Sequence, residues 1–301
     1  MQDIAKEQNQ LIDSYAWCEE ITKKRAKNFY HGIKLLPPAR RKAMCAVYAF
    51  FRDCDDITDD EGNTQRREHL EMLRRVVLGQ AEPDRLLRGL PAFLDAVERY
   101  AIPRHFFAEL IDGMLMDLDD YAYRDYQDTY KYCYCAASTV GYVCVHIFGF
   151  DERNIVDVYR MAEIQGQAFQ LTNILRDLHE DSQNGRCYLP ASALKRWGVS
   201  LNDIASQNQD ESMGRLYAHF CQLTESYYRL CRALPRYVAP ESRACLKAMT
   251  YIYHGVLKKI TKLGPKALRA RAKLNKAQKL GLVLSALAQD GIFLLREHLE
   301  A

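Results

Sequence analysis

The chain has 301 residues, 48% of them hydrophobic and 27% charged, with 42 Lys and Arg against 39 Asp and Glu for a formal net charge of +3. That apolar content is ample for a buried core and excludes intrinsic disorder, and the near balance of charge excludes a dominant nucleic-acid field, so no nucleic-acid partner is expected. A sum can still hide opposite charges held in separate segments.

Residues 1–10 (MQDIAKEQNQ) mix polar and charged side chains without an apolar run, so no signal peptide is expected and the chain is placed in the cytoplasm. The 10 cysteines spread from Cys18 to Cys245, several inside apolar helical stretches (Cys45, Cys133, Cys144), which is how reduced thiols are used. Cys133-x-Cys135 has no second pair at zinc spacing, so structural zinc is not expected.

Apolar residues recur at helical spacing almost throughout, and strict alternation is nearly absent, which predicts an all-α protein. Pro37-Pro38 opens a helix running through Asp59, in which Met44, Val47, Tyr48 and Phe51 repeat every three to four residues, and Glu61-Gly62-Asn63 ends it. Further helices are expected at about 64–78, 84–100, 104–120, 127–148, 152–181, 213–233, 242–262 and 276–298, between Gly, Pro, Asn and Asp punctuation. No repeat or Pro/Ser-rich linker divides the chain, so residues 1–301 read as one domain. The sizeable irregular stretch 182–190 (SQNGRCYLP) is either a loop that closes a site or an ordinary surface connection. The apolar stretch 280–295 is interrupted by Gln289 and Asp290 and falls short of the roughly 20 residues a membrane span needs.

The helix over 38–59 ends in Arg52-Asp53-Cys54-Asp55-Asp56-Ile57-Thr58-Asp59, which places Asp55 and Asp59 on one face, roughly 6 Å apart at Cβ. Like charges near a helix C-terminus cost some tenths to about 1 kcal/mol, which a bound cation would remove; a solvated acidic helix end is the plain alternative. In the helix over 152–181, Gln170, Asn173, Asp177 and Asp181 advance by three, four and four residues and share one stripe. Phe169, Leu171, Ile174 and Leu175 around it are apolar, which points the stripe at a cavity inside the bundle. An amide and two carboxylates are hard ligands suited to Mg²⁺, which takes a few carboxylates plus substrate phosphate oxygens, so two facing aspartate pairs point to a metal-bridged diphosphate leaving group. Arg52 and Arg176 either contact phosphate or neutralise the acids. A di-iron bundle would need paired Glu-x-x-His motifs, which do not occur, and His179 and His254 read as ordinary polar or core histidines.

Several of these segments, taken together, resemble the squalene/phytoene synthase family. Asn28-Phe29-Tyr30 and Leu35-Leu36-Pro37, followed by Tyr48-Ala49-Phe50-Phe51-Arg52-Asp53-Cys54-Asp55-Asp56-Ile57-Thr58-Asp59, resemble its first aspartate-rich region. Residues 170–181 with 185–190 (GRCYLP) resemble the second, and residues 132–141 (YCYCAASTVG) its mid-chain tyrosine and glycine segment; the likeness runs from about residue 14 to 279. The resemblance implies an isoprenoid-synthase (class I terpenoid synthase) helical bundle with a central cavity, joining two allylic prenyl diphosphates head to head. It implies Asp55, Asp59, Asn173, Asp177 and Asp181 as Mg²⁺ ligands, with Asp56 an extra carboxylate, and a catalytic set of Asp55, Asp59, Asp177, Asp181, Tyr132 and Arg52. Tyr48, Arg52, Gln170, Arg176 and Tyr253 would contact the diphosphate or the reacting region, and Gly141 would leave room for a prenyl chain. Relatives carry a Ser-rich stretch with a histidine before the position of Phe29. Here it is Arg25-Ala26-Lys27-Asn28, so Arg25 and Lys27, beside Asn28 and Phe29, would meet substrate with charge in place of hydroxyls.

The expected reaction is therefore condensation of two C15 farnesyl diphosphates to presqualene diphosphate, squalene or dehydrosqualene, the surroundings of Phe29 and of Leu35-Leu36-Pro37-Pro38 resembling bacterial hopanoid-pathway members. Phytoene synthesis from two C20 geranylgeranyl diphosphates, a carotenoid reaction, fits the same motifs. No G-x-G-x-x-G follows a strand, so a Rossmann NADPH site is not indicated, although relatives that use NADPH do so without it. A non-catalytic prenyl-diphosphate-binding protein would be expected to have lost one acidic cluster, and both are intact. Residues 258–279 hold nine Lys and Arg and no acid. They form a solvated face, a lid using Arg269, Arg271 or Lys273, or a patch for peripheral contact with the inner face of a membrane.

Overall fold

Fourteen α-helices follow one another in the computed structural model, which describes residues 2–26, 29–60, 62–82, 87–119 and 121–300, with side-chain surroundings for those within 8–289. The first half comprises α1 (Gln2–Arg25), α2 (Tyr30–Ile33), α3 (Pro38–Asp59), α4 (Arg66–Val77), α5 (Leu90–Arg99), α6 (His105–Leu118), α7 (Tyr126–Cys133) and α8 (Thr139–Phe148). The second comprises α9 (Ile155–Gln183), α10 (Ala191–Trp197), α11 (Leu201–Ala205), α12 (Glu211–Leu230), α13 (Pro240–Leu263) and α14 (Lys276–Glu300). Among the described residues there is no strand, only an isolated bridge between Phe150 and Val238.

Pro38 starts α3 because its missing N–H is an orphan there in any case. The helix then buries Met44, Val47, Phe50 and Cys54, with Phe50 stacked 4.0 Å from Phe93 of α5 and Phe107 of α6 set edge-on to both. A second core joins α9, α12 and α13 through Ile174, Leu175, Phe220, Leu257 and Ile260. The stretch expected as one helix over 127–148 is instead α7, a π-helical turn at Tyr134–Ser138, and α8. Residues 84–86 of the helix expected over 84–100 lie outside the described residues, and the helix begins at Leu90.

Helix α1 has no counterpart among the expected elements, and its buried stripe gives the reason. Ser14, Cys18, Thr22 and Ala26 recur every four residues and are at most 2% exposed, but they are small or polar, so they carry no apolar period. Ser14 Oγ donates to Arg88 O at 2.8 Å and accepts from Ala92 N at 3.1 Å, which ties α1 to the start of α5.

Helix α9 crosses the π-helical turn with backbones in contact. A Cβ on Gly166 would sit 2.5 Å from Ser138 Cα and 2.6 Å from Ala137 O, and one on Gly141 would sit 2.7 Å from Ala162 O. These atoms are backbone and cannot yield cheaply. Gly166→Ala is therefore expected to destabilise the protein by roughly 3 kcal/mol, the upper range of overpacking costs, read from its urea midpoint.

Candidate active site

Helices α3 and α9 present their acidic ends to one polar gap of about 310 Å³, lined by Asp55, Thr58 and Asp59 on one side and by Gln170, Asn173, Arg176, Asp177 and Asp181 on the other. An apolar cavity of about 360 Å³ adjoins it, walled by side chains such as Phe29, Ile33, Phe51, Leu110, Leu246 and Met249. Asp55, Met114, Asp117, Tyr132, Gln170 and Asn173 line both spaces, so the charged gap opens directly into the apolar one.

Burial and crowding of its acids give the gap its electrostatics. Burial beside Asp59, Asp56 and Asp117 pushes the Asp55 carboxyl up to about 7 against the opposing pull of Arg52. Burial, with Asp177 and Glu180 nearby, pushes Asp181 up to about 7. The Asp55 side chain keeps 38% exposure, and that exposure opens into the gap. The Asn173 amide donates to Gln170 Oε1 at 3.3 Å, while its own Oδ1 is buried without a hydrogen-bond partner. An unpaired buried oxygen beside ionisable carboxylates is the environment a hard cation relieves. Among the described residues no three His, Cys, Asp or Glu side chains converge into a closed metal cage.

Arginines stand ready around the gap. Arg52 reaches Asp55 at 3.2 Å and Asp56 at 2.9 Å, and Arg176 Nε donates to Asp177 at 2.9 Å. Two further cations escaped the sequence reading as individual site residues or were one choice among many. Arg186, from the 182–190 stretch, lies 3.7 Å from Asp59; Arg271, from the basic segment, binds Asp177 at 2.7 Å and Glu180 at 2.8 Å.

The remaining candidate residues fall into four groups. Tyr48 and Phe29 line the apolar cavity, and Tyr253 stacks on Phe169 (4.5 Å) and Phe29 (5.0 Å) while touching the Arg176 guanidinium. Burial pushes the Tyr253 phenol up to about 12. Asp56 does not face the gap: Arg52 holds it from one side and Arg25 Nη2 from the other, at 2.8 Å, so this pair stands at the rim. Gly141 borders the cavity and also lets α9 approach: a Cβ there would meet Ala162 O at 2.7 Å. Lys27 and Asn28 lie outside the described residues.

Asp117 is the residue that sequence reasoning misses. It comes from α6, accepts from Tyr188 Oη at 3.0 Å and Tyr132 Oη at 3.3 Å, and lines both spaces. Tyr132 and Tyr188 stack at 4.4 Å, which fixes both hydroxyls on one carboxylate. Burial pushes Asp117 up to about 6, against the donated Tyr188 hydroxyl and Arg186.

An all-helical bundle that joins a carboxylate-walled gap to an apolar chamber has the architecture of the isoprenoid synthases, built for a substrate with a charged head and an oily tail. The sequence profile of the squalene/phytoene synthase family matches residues 22–278. The chain is 35% identical over 288 residues to the phytoene synthase of Mycobacterium tuberculosis, covering 93% of each, and 35% identical over 266 residues to the presqualene diphosphate synthase of Zymomonas mobilis, covering 86% of this chain and 89% of that one. Among solved structures, a ligand-bound dehydrosqualene synthase superposes with a TM-score of 0.84 at 26% identity, covering 94% of this chain and 98% of that chain. The squalene synthase from Alicyclobacillus acidocaldarius gives 0.74 at 25%, covering 84% and 95%. The chain belongs to the squalene/phytoene synthase family and is a prenyltransferase of the head-to-head type.

Proposed function

We propose that the protein condenses two farnesyl diphosphates, with Mg²⁺, to presqualene diphosphate, squalene or dehydrosqualene, and that the whole chain forms one catalytic domain working in the cytoplasm or at the inner face of the membrane. The observation that carries this reading is the continuity of the two spaces: the six residues shared by the charged gap and the apolar cavity put a diphosphate head and a prenyl tail in contact with one wall. The ligand-bound dehydrosqualene synthase likeness favours C15 chains.

The ligand set fits Mg²⁺: Asp55 and Asp59 from α3, with Asn173, Asp177 and Asp181 from α9, would hold it, and Asp56 would take part only after leaving its two arginines. Bound there, the metal supplies positive charge to a departing diphosphate. Arg52, Arg176, Arg186 and Arg271 already sit on the acids of the gap, so phosphate oxygens of a bound diphosphate would replace carboxylate oxygens on the same guanidinium groups. Tyr253 holds Arg176 from behind, as a positioning residue. Phe29, Phe51 and Phe169 keep water from the cavity in which an allylic cation forms, and ring faces near it stabilise positive charge.

Asp117 fixes Tyr132 and Tyr188 at the junction of the two spaces. Asp117→Asn keeps the shape and removes the charged acceptor, and is expected to lower kcat about 10- to 100-fold with little change in KM, measured under saturating Mg²⁺.

The 35% likeness to a phytoene synthase over 93% of both chains favours a second reading, C20 geranylgeranyl diphosphate to phytoene. Purified protein with Mg²⁺ is to be given each diphosphate, with and without NADPH, and the products identified. C30 products from farnesyl diphosphate are expected; C40 phytoene alone would replace the first reading with the second, and no consumption of either would remove both.

A further inference from the structure

The outer face of α14 has no part in the chemistry above. Its inner face buries Val283 and Ala286 against Ala248 and Ile252 of α13, while Leu280, Leu284 and Leu287 stand 56%, 56% and 41% exposed. Spacings of four and three put these leucines on one stripe, one turn beyond the exposed Lys276. Residues 280–289 include no charged side chain, so this part of α14 is apolar both where it packs and where it meets solvent, a pattern water-facing helices avoid. Exposed Lys262, Lys266, Arg269, Lys273 and Lys276 lie in the acid-free segment that leads from the end of α13 into the first turn of α14, whereas Arg271 is committed to Asp177 and Glu180.

We propose that this face of α14 docks the enzyme on an anionic phospholipid bilayer, with the leucines in the interface and the cations on headgroup phosphates. Stable docking takes two signals, an apolar one and an electrostatic one, and both are present on one helix end. The position suits the product as well. Helix α13 gives Leu246 and Met249 to the wall of the apolar cavity and carries α14 on its Ala248 and Ile252 face, and α2, which α14 also touches, ends at the wall residue Ile33. The docking helix thus lies one layer outside the chamber where an oily product forms. A second copy of the chain is the competing occupant, but in a symmetric contact the partner's matching segment, residues 258–289, offers the cations no acid. Only the route of the product rests on the prenyl reading; the binding surface does not.

Full-length protein is to be sedimented with vesicles of phosphatidylcholine alone and of phosphatidylcholine mixed with phosphatidylglycerol, at low and high salt. Binding is expected to the mixed vesicles and to fall with salt. Lys276→Glu should weaken it about 25-fold, two charge steps of about fivefold each, and Leu280→Ser/Leu284→Ser/Leu287→Ser by at least about tenfold. Both variants should consume detergent-dispersed farnesyl diphosphate at the wild-type rate. A wild-type chain that ignores phosphatidylglycerol vesicles, or a triple-serine variant that binds them equally well, overturns the proposal. So does concentration-dependent self-association that the triple variant abolishes without any vesicle binding, which would make the face an interface between copies. Failure of all variants and wild type to consume prenyl diphosphates in detergent would instead remove the prenyl reading and leave the vesicle result standing.

Discussion

Asp55→Asn is expected to lower turnover roughly 10³-fold while leaving the metal-free protein at pH 8 as stable as the wild type or more so. The two effects share one cause. Asp55 faces Asp59, Asp56 and Asp117 with one close cation, Arg52, and its carboxyl is pushed up to about 7 by burial and by those neighbours. Replacing it with a neutral amide removes an unfavourable charge from the fold and a ligand from the gap together. Asp177→Asn makes the complementary case. Asp177 is the shared acceptor of Arg176 and Arg271, so its loss strands guanidinium groups and should cost about 1–3 kcal/mol of stability as well as activity. Thermal unfolding of both variants beside steady-state rates separates a site acid held against its preference from one that also holds the walls together. Equal destabilisation by both substitutions would mean that Asp55 is a structural salt-bridge partner.

The second large effect is on metal and pH. A carboxyl whose pKa in the fold lies above its unfolded value favours folding when protonated, so its contribution is present below about 4 and lost as pH rises through the folded value. Asp55 and Asp181, pushed up to about 7, and Asp117, pushed up to about 6, all have this sign. Without metal, Tm should therefore fall between pH 5.5 and pH 8, the window those values define. Adding Mg²⁺ far above its Kd should restore about 5 °C at pH 8 and much less at pH 5.5, where protons occupy the ligands. The pH dependence of the Mg²⁺ shift, measured by differential scanning fluorimetry, should flatten in Asp55→Asn/Asp181→Asn. An Mg²⁺ shift of equal size at both pH values in the wild type would count against carboxylate ligation in the gap.

Much of this arrangement is legible in the sequence where it depends on periodicity. The three-four-four spacing of Gln170, Asn173, Asp177 and Asp181 is a property of helix geometry, and the structure puts all four on the wall of the gap. The same holds for Asp55 and Asp59 at the end of a helix that Pro38 begins. What stays hidden depends on three-dimensional approach. Asp117 is one acid in an apolar run, Leu115-Met116-Asp117-Leu118, and only the arrival of Tyr132 and Tyr188 from α7 and from the 182–190 stretch gives it a role. Arg271 is one of three cations the basic segment offers for a lid, with Arg269 and Lys273, and nothing separates it from them until it is seen to reach Asp177. Helix α1 buries Ser14, Cys18 and Thr22, which no hydrophobic period can reveal. Gly141 and Gly166 owe their identity to backbones passing within contact distance, and the π-helical turn between α7 and α8 leaves no mark in residue spacing.

Holding of a diphosphate between the acidic walls of α3 and α9 by metal that those walls bind makes its affinity depend on that metal. Calorimetric titration of farnesyl thiodiphosphate, an analogue that departs too slowly to react during the experiment, tests it most directly. Binding is predicted to tighten at least about 100-fold on adding Mg²⁺, and that gain is predicted to collapse in Asp55→Asn; equal affinity with and without Mg²⁺ in the wild type would contradict it.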